Sequence, residues 1–148
     1  MTDGIISSVR LKTEEPQQLV YMYIKQCRSI LELAVLAWHG AITQAERADI
    51  ERVQKGALFT IFGDRYCNYK NALKLASLET LDKRRDKLCS KFAKKAEKNE
   101  KHKNWFKPKP KITTRQNDQK YWPAVARTDR LKTSPISHLT SVLNRGIK

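Results

Sequence analysis

Two carboxylates at helical spacing are the first candidates for chemistry in this chain of 148 residues. Asp82 and Asp86 stand four residues apart, so on a helix they would share one face and could hold a divalent metal. Polymerases and nucleases use carboxylates in this way, to align an attacking oxygen and to stabilise a leaving one. However, four of the five residues from 83 to 87 are basic, which favours local ion pairing. The sequence therefore predicts neither a metal site nor a catalytic residue here.

The other reactive residue types do not cluster. His39, His102 and His138 lie far apart, and none stands near Cys or Asp at the spacing of a metal loop or a catalytic triad. The three cysteines form no CxxC pair, which argues against a zinc site or a disulfide framework and indicates a reducing, intracellular setting. The five glycines form no phosphate-binding loop. We expect no cofactor, and the sequence does not distinguish nucleus from cytoplasm.

Basic charge is the strongest chemical signal, and it is concentrated in one half of the chain. The formal net charge is +15; residues 1–79 carry 10 basic and 9 acidic side chains, whereas residues 80–148 carry 20 and 6. Such an excess favours a polyanionic partner over a solvated surface without function. Arg85 lies nearer an apolar stripe and is expected to form a structural ion pair. The predicted nucleic-acid contacts are Lys83, Arg84, Lys87, Lys91, Lys94, Lys95, Lys98, Lys101 and Lys103.

Aromatic residues stand among these basic ones. Trp105 and Phe106 lie between two lysines, and Tyr121 and Trp122 directly follow another. Their rings could stack on unpaired bases while the lysines hold phosphates. The alternative, equally favoured, is that they anchor this part of the chain on a hydrophobic core.

Helices are the elements predicted to position these side chains. Pro16 suits a first helical turn, and apolar residues then recur every three or four positions, which predicts one long helix ending before Gly40. The capping-box sequence Thr43 to Glu46 opens a second helix that closes near Gly63. A short third helix follows from Asn68.

The fourth predicted helix starts near Thr80 and is amphipathic, with lysines on one face. The prolines and lysines from 107 to 111 cannot continue a helix, so we expect a basic extended arm over 106–133. Ser134 and Pro135 then suit the start of a short terminal helix over 134–145. With 1–15 loosely ordered and 16–105 as one helical domain, the predicted fold class is all-α.

Several separated motifs resemble one protein family. The run 50–58 (IERVQKGAL), then 61–63 (IFG), and the run 78–99 (LETLDKRRDKLCSKFAKKAEKN) resemble the region after the polymerase core in reverse transcriptases of non-LTR retrotransposons. Upstream, 28–32 (RSILE) and 37–39 (AWH) are similar to the family's RSxLEYA and VWH segments. Downstream, 126–130 (ARTDR) with 134–136 (SPI) is similar to its closing motif. The resemblance covers roughly residues 16–144.

The resemblance implies a thumb-like bundle of about four helices with a C-terminal extension, the part of such an enzyme that cradles a template and primer duplex. Leu33 departs from the family's Tyr, and Leu36 and Ala37 depart from its Pro-Val. The family's palm domain, with its Tyr-x-Asp-Asp metal-binding motif, has no counterpart in the sequence. The chain is thus expected to be no enzyme, although the parent family is an RNA-directed DNA polymerase. Three interpretations remain open: the chain is a fragment of a larger polyprotein, a degenerate remnant of a transposable element, or a remnant reused as a binding protein.

The leading functional prediction is sequence-independent binding of an RNA or DNA backbone. The alternatives are a protein-interaction or oligomerisation module, which self-associates through exposed apolar helix faces, and a non-functional remnant. No membrane partner is expected. The most apolar stretch, 30–38, contains Glu32 and is far shorter than the roughly 20 residues that span a bilayer. A peripheral membrane binder would use the basic amphipathic helix, but Phe92 is its only large aromatic residue, so we expect weak binding to lipid vesicles.

Overall fold

The computed structural model describes residues 15–109, 119–123 and 127–145, without the side chain of Lys103. These residues are mostly helical, which confirms the all-α class. They form two compact units: the first contains the described residues up to Leu33 and Thr43–Arg84, and the second contains Ala34–Ile42 and the described residues from Arg85 onward. The expected division at residue 105 is therefore not the one observed. The expectation of a loosely ordered N-terminus falls on residues 1–14, outside the described part.

The first helix is shorter than predicted. Helix α1 (Pro16–Met22) begins with Pro16 in its first turn, widens into a π-helical segment (Tyr23–Arg28), and continues as α2 (Ser29–Leu31). The chain then turns, with Ala34 at φ 51°, before α3 (Val35–Trp38). The prediction of one helix reaching Trp38 was wrong, because a left-handed residue breaks it without the Gly or Pro that marks such a break in a sequence.

The second and third helices begin as the sequence indicates. Helix α4 (Gln44–Phe62) has its capping box formed, with Glu46 N–H donating to Thr43 Oγ1 at 3.3 Å and Thr43 N–H donating to the Glu46 carboxylate at 2.6 Å. A 3-10 turn (Gly63–Arg65) follows it. Helix α5 (Tyr69–Leu75) is capped by Asn68, whose Oδ1 accepts from Asn71 N–H at 2.9 Å.

The hydrophobic core of the first unit combines α1, the π-helical segment, α4 and α5. Leu58 is fully buried there, and Tyr23 is fully buried against the same cluster. Ile30 and Leu33, by contrast, are 71% and 72% exposed, so the apolar stripe of the first helix leaves the core where the helix ends. The core residues are Leu19, Val20, Tyr23, Cys27, Ala57, Leu58, Ile61, Phe62, Ala72, Leu73 and Ala76.

Helix α6 (Leu81–Lys98) begins in the first unit and continues into the second. A 3-10 segment (Glu100–Trp105), α7 (Asp129–Lys132) and α8 (Pro135–Arg145) follow it. The last of these confirms the predicted terminal helix. The second core consists of Cys89, Ala93, Ala96, Phe106, Tyr121 and Leu139.

The segment predicted as an extended arm is more structured than expected where it is described. Phe106 and Tyr121 lie in the second core, and an antiparallel bridge joins Pro108 to Tyr121. Helix α7 also lies within it. Residues 110–118 and 124–126 of this segment fall outside the described part. None of the helices described is long and apolar enough to cross a bilayer.

Candidate nucleic-acid interface

Helix α6, which carries the predicted contacts, is held at its start by a residue from α4. Glu51 accepts hydrogen bonds from Leu81 N–H at 3.0 Å and Asp82 N–H at 3.4 Å, two of the amides that a helix start leaves unpaired. A carboxylate at this end is also favoured by the helix dipole. This cap was missed in the sequence, because its donor and acceptor lie 30 residues apart.

A buried polar network fixes Glu51 in turn. The hydroxyl of Tyr69 donates to Glu51 and accepts from Gln54 Nε2 at 3.0 Å. Gln54, which is fully buried, also donates to the carbonyl of Glu79 and accepts from the Tyr23 hydroxyl at 3.1 Å. Burial raises the pKa of both tyrosines well above the ordinary phenol value. Both hydroxyls therefore stay protonated and keep donating their hydrogen bonds throughout the physiological pH range.

The lysines of α6 form one exposed face. Successive residues of an α-helix are rotated by about 100° around its axis, so the lysines at 83, 87, 91, 94 and 98 fall in one sector of about 80°. The residues on the opposite side are buried and include Leu81, Arg85, Cys89, Ala93 and Ala96. We call the exposed set the lysine face. It comprises Lys83, Lys87, Lys91, Lys94, Lys95 and Lys98, all of which are exposed.

Within the described residues, no carboxylate pairs with Lys91, Lys94, Lys95 or Lys98. The acidic residues of α6 lie at the edge of the lysine face instead, where Asp86 and Glu97 contact other side chains. These four lysines consequently present positive charge that no described carboxylate compensates. Lys101, beyond the helix, is exposed as well.

Two of the predicted nucleic-acid contacts, Arg84 and Lys103, are not included in the lysine face. Arg84 pairs with Glu32 at 3.2 Å, and the same carboxylate accepts from Arg28 at 2.9 Å. Its guanidinium is thus engaged within the first unit, because Glu32 lies beside it in space although 52 residues away in sequence. The side chain of Lys103 lies outside the described part. Arg85 is fully buried with its guanidinium 5.8 Å from the centre of the Trp38 ring, so it does not belong to the face.

The carboxylates considered for metal binding are occupied by cationic or aromatic partners. Asp82 pairs with Arg47 Nη1 at 2.9 Å, and Asp86 lies 2.9 Å from the buried His39 Nε2. The pairing was expected to be local, but both partners come from distant parts of the chain. Among the described residues no group of three or more His, Cys, Asp or Glu could hold a metal ion.

The four aromatic residues proposed for base stacking divide into two pairs. Phe106 and Tyr121 are 3% and 7% exposed and belong to the second core, so the stacking prediction is wrong for them and the anchoring alternative holds. Trp105 is 38% exposed and packs against the ring of His102. Trp122 is 50% exposed, with the Lys109 ammonium 5.2 Å from the centre of its ring. Both tryptophans keep a surface that a base could reach.

Glu97 joins Tyr121 to the edge of the lysine face. It accepts hydrogen bonds from Lys120 and from the Tyr121 hydroxyl, the latter at 2.6 Å. These bonds, that of Lys120 first, hold the pKa of Glu97 below its usual value, and the same contact raises the pKa of Lys120. Burial and Glu97 raise the pKa of Tyr121. A groove of about 470 Å³ lies beside the cluster and is lined on one side by Lys94.

No family model, curated protein or solved structure matches this chain. The features that bear on function are the exposed lysine face, four of whose lysines (Lys91, Lys94, Lys95 and Lys98) pair with no carboxylate among the described residues, and the resemblance of the sequence motifs.

Proposed function

We propose that this chain is a non-catalytic segment that binds nucleic acid without sequence preference, related to the thumb and following extension of non-LTR retrotransposon reverse transcriptases. The observation that carries the binding proposal is the lysine face of α6. From Lys83 to Lys98 the helix rises about 22 Å, which matches the axial length of about six phosphates along one strand. Ammonium groups on such a track displace condensed counterions and contact phosphates without reading bases.

The proposed kinship with reverse transcriptases is supported by motifs that occur in order along the chain, including 28–32, 50–58 and 78–99. In that family the thumb cradles a duplex. A helix whose basic face is exposed along its length is suited to contact a duplex in the same way. The reading frame upstream of Met1 tests this kinship. A palm domain encoded there would establish it, and a frame without one would favour a remnant or a reused binding protein.

The binding proposal is tested by removing three charges from the lysine face. We expect the K91Q/K94Q/K98Q variant to bind a duplex more weakly and to lower the slope of log affinity against log salt by up to about 2.7, since each phosphate contact contributes about 0.9. Fluorescence anisotropy between about 50 and 200 mM salt, with two duplexes of unrelated sequence, measures this. Helicity should be retained, because Gln is nearly as good a helix former as Lys.

The matched control removes the same charge elsewhere. Lys55, Lys70 and Lys74 are exposed, lie on α4 and α5, and have no partner among the described residues. The K55Q/K70Q/K74Q variant should keep the wild-type slope. Equal effects of the two triple variants would show that only the total charge matters and would contradict a binding face on α6. Dimerisation on gel filtration, without nucleic-acid binding, would support the interaction-module alternative, for which exposed Ile30 and Leu33 are the supporting observation.

A further inference from the structure

Trp122 lies on a short two-stranded ladder in the second unit. Lys109 N–H donates to the Lys120 carbonyl and Trp122 N–H donates to the Lys107 carbonyl, both at 3.0 Å, on either side of the bridge between residues 108 and 121. Successive side chains of an extended segment point to opposite faces. Because Tyr121 points into the core, Trp122 points away from it, on the face shared with Lys107 and Lys109.

The contacts on this outer face place positive charge beside the ring. The Lys109 ammonium lies over the indole at 5.2 Å from its centre, and Lys107 is exposed directly across the ladder from Trp122. Lys120, the remaining residue of this face, turns to Glu97 and Tyr121 instead. Trp122 nevertheless remains 50% exposed, so the neighbouring lysines do not cover its ring.

An exposed indole flanked by lysines has the two features of a single-strand platform. Stacking of a base on an aromatic side chain contributes favourably and tolerates any base, since every base has a flat π face. The ammonium groups beside the ring can hold the phosphates on either side of that base. A base inside a duplex is already stacked on both faces, so such a platform takes an unpaired nucleotide.

We propose that Trp122, Lys107 and Lys109 form a stacking site for an unpaired base, so that the nucleic acid bound by this chain carries a single-stranded segment. The proposal rests on the nucleic-acid binding proposed above and specifies its substrate class. The lysine face holds phosphates of either a duplex or a single strand, whereas Trp122 distinguishes between them.

The test compares three probes of similar phosphate count: an oligothymidylate of about 12 nucleotides, within common single-strand site sizes, the same oligomer with abasic sites throughout, and a blunt duplex. We expect Trp122→Ala to weaken oligothymidylate binding by about 5- to 150-fold, the effect of losing one stacked base. Its affinity for the abasic oligomer and for the duplex should equal that of the wild type. Trp122→Phe, which keeps an aromatic ring, should retain most of the affinity for oligothymidylate.

Phe59→Ala is the control, because Phe59 is an aromatic residue that is 59% exposed and lies on α4, in the first unit. It should bind all three probes like the wild type. Unchanged oligothymidylate binding by Trp122→Ala would overturn the stacking site, and so would an equal loss on the abasic oligomer, because that probe has no base to stack. In both cases a reduced salt slope for K91Q/K94Q/K98Q would still support nucleic-acid binding by the lysine face. Failure of the wild type to bind any probe would instead contradict the proposed function itself.

Discussion

At the scale of single residues, Glu97 links helix α6 to the ladder. Two donors from the ladder, Lys120 and Tyr121, converge on its carboxylate. Because the pKa of Glu97 is lowered in the folded chain, the unfolded chain takes up a proton at this carboxylate at a higher pH than the folded chain does. Its stabilising contribution is therefore fully present above the unfolded pKa of about 4.3 and is lost as the pH falls through the folded value. The raised pKa of Lys120 extends the same stabilisation up to about pH 10.

Glu97→Gln should remove this pH dependence. We expect the free energy of unfolding at pH 7 to fall by about 1 kcal/mol, since a charge-assisted hydrogen bond becomes a neutral one. The difference from the wild type should shrink as the pH falls through the lowered pKa of Glu97, because a protonated Glu97 and Gln are both uncharged. Urea denaturation at pH 7 and at successively lower pH values measures it. Glu100→Gln is the control, because Glu100 is exposed and its side chain makes no hydrogen bond or ion pair with the described residues; an equal effect there would contradict the assignment.

At the scale of elements, α3 and α8 approach closely because of a glycine. Gly40 follows α3, and a Cβ atom built on it would lie 2.6 Å from His138 Cβ and 2.8 Å from His138 Cγ. These atoms are close to the backbone of α8, so a side chain at residue 40 would push the helix rather than rotate a flexible group. Gly40 thus has a packing role in the second unit, whereas the sequence indicates only a helix end.

Gly40→Ala should destabilise the protein by about 1 to 3 kcal/mol, the usual cost of overpacking. Gly56→Ala provides the opposite control, because Gly56 lies within α4 and a Cβ there would meet nothing within 4 Å. That substitution should stabilise the protein by about 0.5 to 1 kcal/mol through lower chain entropy in the unfolded state. Urea midpoints by far-UV circular dichroism report both, and a neutral Gly40→Ala variant would show that α3 and α8 do not pack as observed.

At the scale of the whole molecule, the two units differ in charge and in their aromatic residues. The second half of the sequence carries most of the net charge, and all three tryptophans, at 38, 105 and 122, belong to the second unit. Tryptophan fluorescence therefore follows the second unit alone. Far-UV circular dichroism reports the helices of both units together.

Leu139→Ala should lower the stability of the second unit by about 2 to 5 kcal/mol, because Leu139 is 2% exposed and lies in the second core. Urea unfolding followed by tryptophan fluorescence measures the loss. Leu131→Ala is the same substitution on α7, where Leu131 is 48% exposed, and should change stability by less than about 0.5 kcal/mol. A loss that small at Leu139 would show that the second core is wrongly assigned.

Local signals in the sequence determined where most helices begin, and spacing determined the lysine face. Pro16, Asn68 and the Thr43 to Glu46 capping box act within one helical turn, so the residues that form each interaction are neighbours in the sequence. The lysines of α6 are exposed for a similar reason, since their spacing alone places them opposite the apolar residues.

Tertiary contacts decided the features that no short window of sequence contains. The capping of α6 by Glu51 and the placement of residues 34–42 in the second unit depend on residues far apart in the chain, and the left-handed Ala34 has no local signal in the sequence. Tertiary contacts also distinguished the aromatic residues, because the sequence predicted the same two roles, base stacking or core anchoring, for Tyr121 and Trp122. The bridge to Pro108 sends one ring into the core and the other outward, because adjacent residues of an extended segment must point to opposite faces.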